Sequence, residues 1–473
     1  MVKPPRNPIA KKGLASLVGL ILSEITVTTM PMSKAPRILT KRVGTIKKVE
    51  ESEEYKAHLK RVPRAPPSKI ANQTDIISIL IAGTLHKCKF EWFAIAYDRD
   101  MPPEKPQWAE LFTEVVTSGL CTGCAACVIV CPHDVLGYND AGGTYKPFHF
   151  DIDGGTADCT HGQRGCTLCT RACPRFRNWE SEIDTFLFGR ERKDEEISGI
   201  SQDVFLAKAV DPDLAKVGQD GALVSAILVY ALDNDKIDAA LVSGLEGDGS
   251  TWKAVPQVAR SRQDVIDTAG SRYTYSANTL GYKEATDGGA ERIALVGMGC
   301  QASAPGAMSA KKAGKTARRF VLTIGLLCSK TFDDAIFKEL FEDRYSIQRE
   351  NIKKMNIKGV FQIWCHDGTY HEIPLKEAHA WTREGCKNCP DFASEHADIS
   401  TGGIGEFQDW TLTVVRTDRG RELIEEMKEK GIIETRPGTD DPGAIALMNK
   451  LAKVSRKRWP ETAAAAPRRI PVA

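Results

Sequence analysis

The second half of the chain alternates two apolar patterns. Short runs rich in Val, Ile and Leu, at Val204–Ala209, Ile237–Ser243, Ile293–Val296, Phe320–Gly325 and Val360–Cys365, have the length and composition of strands buried in a sheet. Between the first two lies Ala222–Leu232, almost wholly apolar and too long for one strand, which reads as a buried helix. Two further segments repeat their apolar positions at helical spacing: Asp333–Tyr345, with Thr331 as its N-cap, and Arg419–Lys430, closed by Gly431. Strands alternating with helices predict an α/β core domain with a mainly parallel sheet over residues 203–433. Such a sheet gathers its ligand-binding loops at the carboxyl ends of its strands.

Upstream the pattern changes. Residues 108–118 (WAELFTEVVTS) keep helical spacing and lead into two cysteine runs, Cys121–Pro132 (CTGCAACVIVCP) and Cys159–Pro174 (CTHGQRGCTLCTRACP). Together these hold eight of the fourteen cysteines, so they carry the module's chemistry. Cys121-x2-Cys124-x2-Cys127-x3-Cys131-Pro132 is the spacing that binds a 4Fe–4S cluster in bacterial ferredoxins, where the fourth cysteine reaches the other cluster. Structural zinc instead uses separated C-x2-C pairs. The expected ligand sets are Cys121, Cys124, Cys127 and Cys173 for one cluster, and Cys131, Cys159, Cys166 and Cys169 for the second. Six residues separate Cys159 from Cys166 where two are usual, so Cys159 must close its site through a longer loop.

The segments so defined are a basic, mostly disordered arm (1–72), a lead-in helix segment (73–118), a ferredoxin-like two-cluster module (119–176), a linker (177–202), the α/β domain (203–433) and a flexible tail (434–473). The arm holds fifteen Lys and Arg against five Glu, whereas the whole chain has a net charge of only +2. Charge therefore points to no acidic partner for the body of the protein. The arm lacks the interleaved aromatics of a base-stacking surface, which argues against nucleic acid. Leu14–Ser23 follows a cationic start as a signal-peptide core does, but no small-x-small cleavage site follows it. A start at Met30 or Met32 is the competing reading. Neither this run nor Ile76–Leu85 is long enough to span a membrane. Clustered cysteines in a chain too large to need disulfide staples favour metal ligation in the reducing cytoplasm.

Three more places carry candidate chemistry. Cys300 and Cys328 each end an apolar strand, and Cys386-x2-Cys389-Pro390 forms a pair. From the residues alone these four stand between a third metal site, of iron or zinc, and buried core thiols. Gly218-Gln219-Asp220-Gly221 opens the 222–232 helix with a glycine turn, a seat for phosphate or a plain strand–helix turn. Ala397–Gly405 (ADISTGGIG) is a second glycine-rich segment; it does not match the G-x-G-x-x-G dinucleotide fingerprint. Lys354 and Lys358 suit an anionic cofactor, although solvated lysines are the plainer reading. No zinc-protease pattern or serine nucleophile elbow occurs.

With these motifs in order, about residues 110–420 resemble the beta-subunit family of coenzyme F420 hydrogenases and dehydrogenases, which are flavin iron–sulfur proteins. The carriers are the ferredoxin run, VGQDGALVSAILVYALDNDKIDAALV, GSRYTYSAN, VGMGCQ, IGLLC and GCKNCPDFASEHADISTGGIG. The resemblance implies a third 4Fe–4S cluster on Cys300, Cys328, Cys386 and Cys389, beside an FAD. It implies FAD contacts at Gly218, Gln219, Asp220 and Gly221, at Ser271 and Tyr273 within the 271–278 segment, and at Asp398, Ser400, Gly402 and Gly403. It also implies an oxidoreductase that exchanges a hydride with reduced F420 through FAD and single electrons through its clusters, with ferredoxin or a partner oxidoreductase subunit beyond. The chain departs from the family where PCQ becomes Gly299-Cys300-Gln301, in the stretched second run, and in the basic arm. The rival readings are a ferredoxin-dependent reductase of an organic substrate such as a tetrapyrrole, a relay subunit without flavin, and a zinc-stapled scaffold.

Overall fold

The computed structural model describes residues 105–152 and 157–460. The arm (1–72) and the lead-in up to residue 104 lie outside them. Trp108–Leu111 is α-helical and continues as a π-helical turn, Phe112–Val116, which buries Trp108, Leu111, Val115 and Val116 beneath the cysteine module. Within that module Leu136–Asn139 (β1) and Lys146–His149 (β2) form an antiparallel hairpin.

The 177–202 segment is not a loose connector. Trp179–Phe188 (α1) packs on the later helix Gly299–Ala310, and its charged residues Glu180 and Asp184 are buried with Arg192. Charge here marks an internal ion network, and sequence alone reads such charge as solvated.

The α/β domain contains Asp203–Ala209 (β3), Leu223–Asp233 (α2), Ala239–Leu245 (β4), Ala254–Ala259 (β5), Ile293–Met298 (β6), Gly299–Ala310 (α3), Phe320–Leu326 (β7), Ile399–Gly402 (β11), Thr411–Val415 (β12), Asp418–Glu429 (α4) and Ile433–Pro437 (β13). The strands form one eight-stranded sheet in the order β13-β3-β12-β11-β7-β6-β4-β5. The expected parallel sheet is its centre, where β11, β7, β6 and β4 run together. The flanks are antiparallel: β12 turns back on β11 and pairs with β3, β13 pairs with β3, and β5 pairs with β4.

Alternation along each strand divides the core. Ala240, Val242, Ala294 and Val296 face α2 and α4, while Ala239, Leu241, Ile293 and Leu295 face α3 and the cysteine module. The helix α2 is apolar on nearly all sides because it is enclosed on nearly all sides. Thr417 caps α4 by accepting from the Gly420 N–H at 3.2 Å, and Gly431 ends it in the left-handed region.

Three expectations are corrected. The 333–345 helix forms largely as a π-helix over Phe337–Glu342, and its start is capped by Asp333, whose carboxylate accepts from the Ala335 N–H at 3.0 Å. Thr331 is drawn instead to the Cys386 sulfur. Val360–Cys365 (β9) does not join the main sheet but pairs with Ile352–Ile357 (β8) and Tyr370–Pro374 (β10) in a separate antiparallel sheet. The tail from 434 is ordered well past its start: after β13, Pro442–Arg456 (α5) is N-capped by Asp441 and buries Ala444, Met448 and Ala452 against Leu206, Leu412 and Val414. Residues 461–473 lie outside the described residues.

Candidate iron–sulfur and flavin site

The two cysteine runs are cross-laced. Cys121, Cys124, Cys127 and Cys173 line one cavity with Leu111, Val115 and Arg175. Cys131, Cys159, Cys166 and Cys169 line a second with Trp108, His133 and His161. Each cavity therefore takes three cysteines from one run and one from the other. The inner set is the deeper: Cys124, Cys127 and Cys173 are buried, while Cys131, Cys166 and Cys169 of the outer set are half-buried.

The local backbone explains the wrap. Gly123 and Ala125 both take positive φ, turning the chain around the inner cavity. A Cβ at Gly123 would lie 2.7 Å from the Tyr145 carbonyl and 2.9 Å from Arg383, so only glycine fits. Backbone N–H groups point at the sulfurs, as Gly162 does toward Cys159 Sγ at 3.1 Å. Such donors tune and hold cluster thiolates. Burial pushes the thiols of Cys124, Cys169 and Cys173 up to about 12, and those of Cys127 and Cys121 upward as well. A cation is what such sites require to hold thiolates.

A third set meets at the carboxyl edge of the sheet. Cys300 lies in the first turn of α3 directly after β6, Cys328 follows β7, Cys386 lies in the short helix Glu384–Lys387 beyond the small sheet, and Cys389 follows that helix. These four thiols act on one another electrostatically, Cys328 chiefly with Cys386, then Cys300 and Cys389. Burial raises Cys300, Cys328 and Cys389. Cys386 differs: burial pushes it up, but the Arg383 guanidinium and the Thr331 N–H and hydroxyl, at 3.4 and 3.5 Å, outweigh this and lower it. Among the described residues no three Cys, His, Asp or Glu side chains close on one metal-ion position. The eight sulfurs of the two ferredoxin-type runs instead ring two cavities, as the ligands of a four-iron cube do.

Arginines sequence reasoning missed join the sets. Arg383 donates to the Thr122 carbonyl at 2.9 Å, lies 3.7 Å over the Tyr275 ring and faces Cys386. Tyr275 in turn approaches Cys300 Sγ at 3.8 Å. Thr279 donates to the Cys124 carbonyl and Asn388 to that of Gly119 at 3.0 Å. The inner ferredoxin loop is thus clamped on the core cysteines. The sequence signal was their place, Arg175 directly behind Cys173-Pro174 and Arg383 three residues before Cys386.

The glycine segments also converge in part. Asp220, Gly221 and Ala222 all have positive φ, forming a nest of backbone ahead of α2. Asp220 packs against Gly403 so closely that no Cβ fits there. Lys358, at the β8–β9 turn, bridges them, 3.2 Å from Asp220 Oδ1 and donating to the Gly403 carbonyl at 2.8 Å. Burial raises the Asp220 carboxyl against the pull of Lys358. Tyr273, raised by burial, interacts with Asp220, Ser271 and Cys328, and donates to Asn356 Oδ1 at 3.2 Å. Asp220, Tyr273 and Gly403 thus meet at one edge, with Gly218, Gln219, Gly221, Ser271 and Gly402 beside them in the chain.

Asp398 and Ser400 do not join it. Asp398 lies at the amino end of β11 and accepts from Thr323 N–H, Thr417 and Arg419. Ser400 is buried between the Ser394 carbonyl and Arg416. Both are committed to holding β11.

This arrangement defines an α/β iron–sulfur protein with a ferredoxin-type module docked on its sheet edge. Comparison with known proteins takes this further. Residues 204–280 and 290–441 match "Coenzyme F420 hydrogenase/dehydrogenase, beta subunit" N-terminal and C-terminal families, and 120–176 match a "4Fe-4S dicluster domain". The coenzyme F420 hydrogenase subunit beta of Methanothermobacter thermautotrophicus is 31% identical over 57% of this chain and 96% of that protein. The coenzyme F420-dependent sulfite reductase of Methanocaldococcus jannaschii is 29% identical over 73% of this chain and 50% of that protein. A structure of the F420-reducing [NiFe] hydrogenase complex from Methanosarcina barkeri contains a similar chain, with TM-score 0.53 and 31% identity over 55% of this chain and 91% of that one. The chain belongs to the coenzyme F420 hydrogenase/dehydrogenase beta-subunit family, and is an oxidoreductase with a 4Fe–4S dicluster domain. Among the described residues no helix is long and apolar enough to cross a membrane.

Proposed function

We propose that the protein exchanges a hydride with reduced coenzyme F420 at the carboxyl edge of the sheet and passes single electrons along three cysteine-held 4Fe–4S clusters to a partner subunit. FAD bound at that edge supplies the conversion between two-electron and one-electron chemistry. The observation that carries the reading is continuity. Leu327, directly before Cys328, donates its N–H to the Thr401 carbonyl at 2.8 Å beside Gly402, and Arg383 donates both to Thr331, which contacts Cys386 Sγ, and to the Thr122 carbonyl between two inner ferredoxin cysteines.

The chain's own groups supply positioning. The Asp220 and Gly221 N–H groups and the start of α2 would face the cofactor diphosphate, the Ala222 N–H being held by the Gln219 carbonyl at 3.0 Å, with Lys358 beside them as counter-charge. Gly402 and Gly403 let backbone approach the cofactor. Cys300, Cys328, Cys386 and Cys389 would hold the cluster next to it, Cys121, Cys124, Cys127 and Cys173 the next, and Cys131, Cys159, Cys166 and Cys169 the outermost. The half-exposed outer cysteines set the exit toward a partner, in keeping with the relatives being hydrogenase and dehydrogenase subunits.

Anaerobic purification followed by metal and flavin analysis tests this. The expected result is about twelve iron and one FAD per chain, the content of three four-iron clusters and one flavin. Reduced F420 then bleaches the iron–sulfur absorbance, and NADH does not. A flavin-free protein, or one bleached by NADH alone, overturns the proposal.

A further inference from the structure

Arg175 is 1% exposed, and its Nε and Nη2 have no hydrogen-bond partner among the described residues. Only Nη1 is satisfied, by the Pro174 carbonyl at 2.6 Å, while the guanidinium plane lies 4.3 Å over the Trp179 ring. Other deeply buried arginines are fully engaged. Arg416 bonds Ser400 Oγ and the carbonyls of Ile200 and Ala393, and Arg192 holds Asp184 through two nitrogens. Asp391, the carboxylate that acts most on Arg175, accepts from the Glu395 N–H at 3.2 Å instead. A buried cation with idle donors is unfavourable unless something anionic faces it.

Its position says what that is. Arg175 lines the inner cavity with Cys121, Cys124, Ala125, Cys127 and Cys173, and Ala125 packs in one cluster with Cys300 and Cys389 of the core set, toward which the Arg175 charge is felt. The outer cavity is not lined by Arg175. We propose that Arg175 is a positioning residue that sets the reduction potentials of the two clusters it stands between, its idle N–H groups donating to their sulfur atoms. Each cluster gains one negative charge when it takes an electron, and a fixed cation in a low-dielectric interior favours that reduced form. Two neighbouring clusters biased alike exchange electrons near equilibrium, while the outer cluster keeps its own potential. No proton or atom moves in this role; the electron arrives from one cluster and leaves to the next.

The inference rests on the cluster reading above, and the test separates the two. The full chain and its Arg175→Met and Arg175→Lys variants are prepared anaerobically, their iron counted, and their clusters titrated by potential-controlled electron paramagnetic resonance. With iron content unchanged, Arg175→Met is expected to lower the reduced-to-oxidised ratio of the inner and core clusters about tenfold at fixed potential, about 59 mV for one electron. The outer cluster is expected to stay put. Arg175→Lys, which keeps the charge but not the planar fork, recovers most of the loss. Unchanged potentials, an equal shift of all three clusters, or an Arg175→Lys loss as large as that of Arg175→Met overturns the proposal. A wild-type chain lacking iron overturns the cluster reading instead.

Discussion

Replacing Arg192 by Met tests what holds α1 and the 391–396 loop together. Arg192 is 1% exposed and bonds Asp184 with Nε at 2.6 Å and Nη2 at 2.8 Å, meets Glu180 at 3.3 Å, and also pairs with Glu395. All three carboxylates are buried. Removing one partner of such a buried arrangement typically destabilises by about 3–5 kcal/mol, because charge is left uncompensated. Arg456 still faces Glu180 at 2.9 Å and Glu395, so the low end applies, about 3 kcal/mol. At about 1.4 kcal/mol per tenfold, the opening equilibrium of Trp179–Phe188 rises roughly 100-fold. Hydrogen exchange of those amides in the anaerobic protein reads this directly. Arg192→Lys should fall between, since it keeps charge but loses the bidentate fork. Exchange accelerated less than about fivefold in Arg192→Met would refute the network as the clamp.

Cys300→Ser is expected to lower iron from about twelve to about eight per chain with both ferredoxin-type clusters retained, checked by metal analysis and electron paramagnetic resonance. Lys358→Met removes the cation beside Asp220 and should weaken FAD retention about tenfold or more with iron unchanged, measured by flavin release on dilution. The ion network also makes the fold acid-sensitive. Burial pushes the Asp184 carboxyl up, but bonds from Arg192 and His396 outweigh this and hold it well below the usual carboxylate range. A depressed folded-state value stabilises above the ordinary value of about 4 and loses that contribution as pH falls further. Acid unfolding should therefore move to higher pH in Asp184→Asn, read by tryptophan fluorescence.

The central strands were legible because β6, β7 and the 222–232 helix are long, apolar and local in pattern. The spacing of the two ferredoxin-type runs already implied an exchange of Cys131 and Cys173, and the two cavities are lined in that grouping, whereas the core set came only from the resemblance. What failed was non-local. Strand direction at the flanks depends on β12 and β13 finding β3 across some 200 residues of chain, which no local pattern encodes. Glu180, Asp184 and Arg192 read as a solvated connector because charge neutralised by a distant partner looks the same in sequence as charge facing water. Asp398 and Ser400 were expected at the flavin from the family resemblance; they lie at and near the amino end of β11, bonded to Thr323, Thr417 and Arg416. Lys358 was set aside as an ordinary surface lysine, and only the β8–β9 turn brings it to Asp220.

The exchange of one cysteine between the two runs has a consequence for how the module is assembled. Neither cavity has its fourth sulfur until the other run is in place, so filling one pre-orders the other, and half-loaded chains should be scarce during iron delivery. Damage follows the same rule in reverse. An oxidant that strips the more accessible outer site frees Cys131, loosens the loop it shares with Cys127, and so exposes the inner one next.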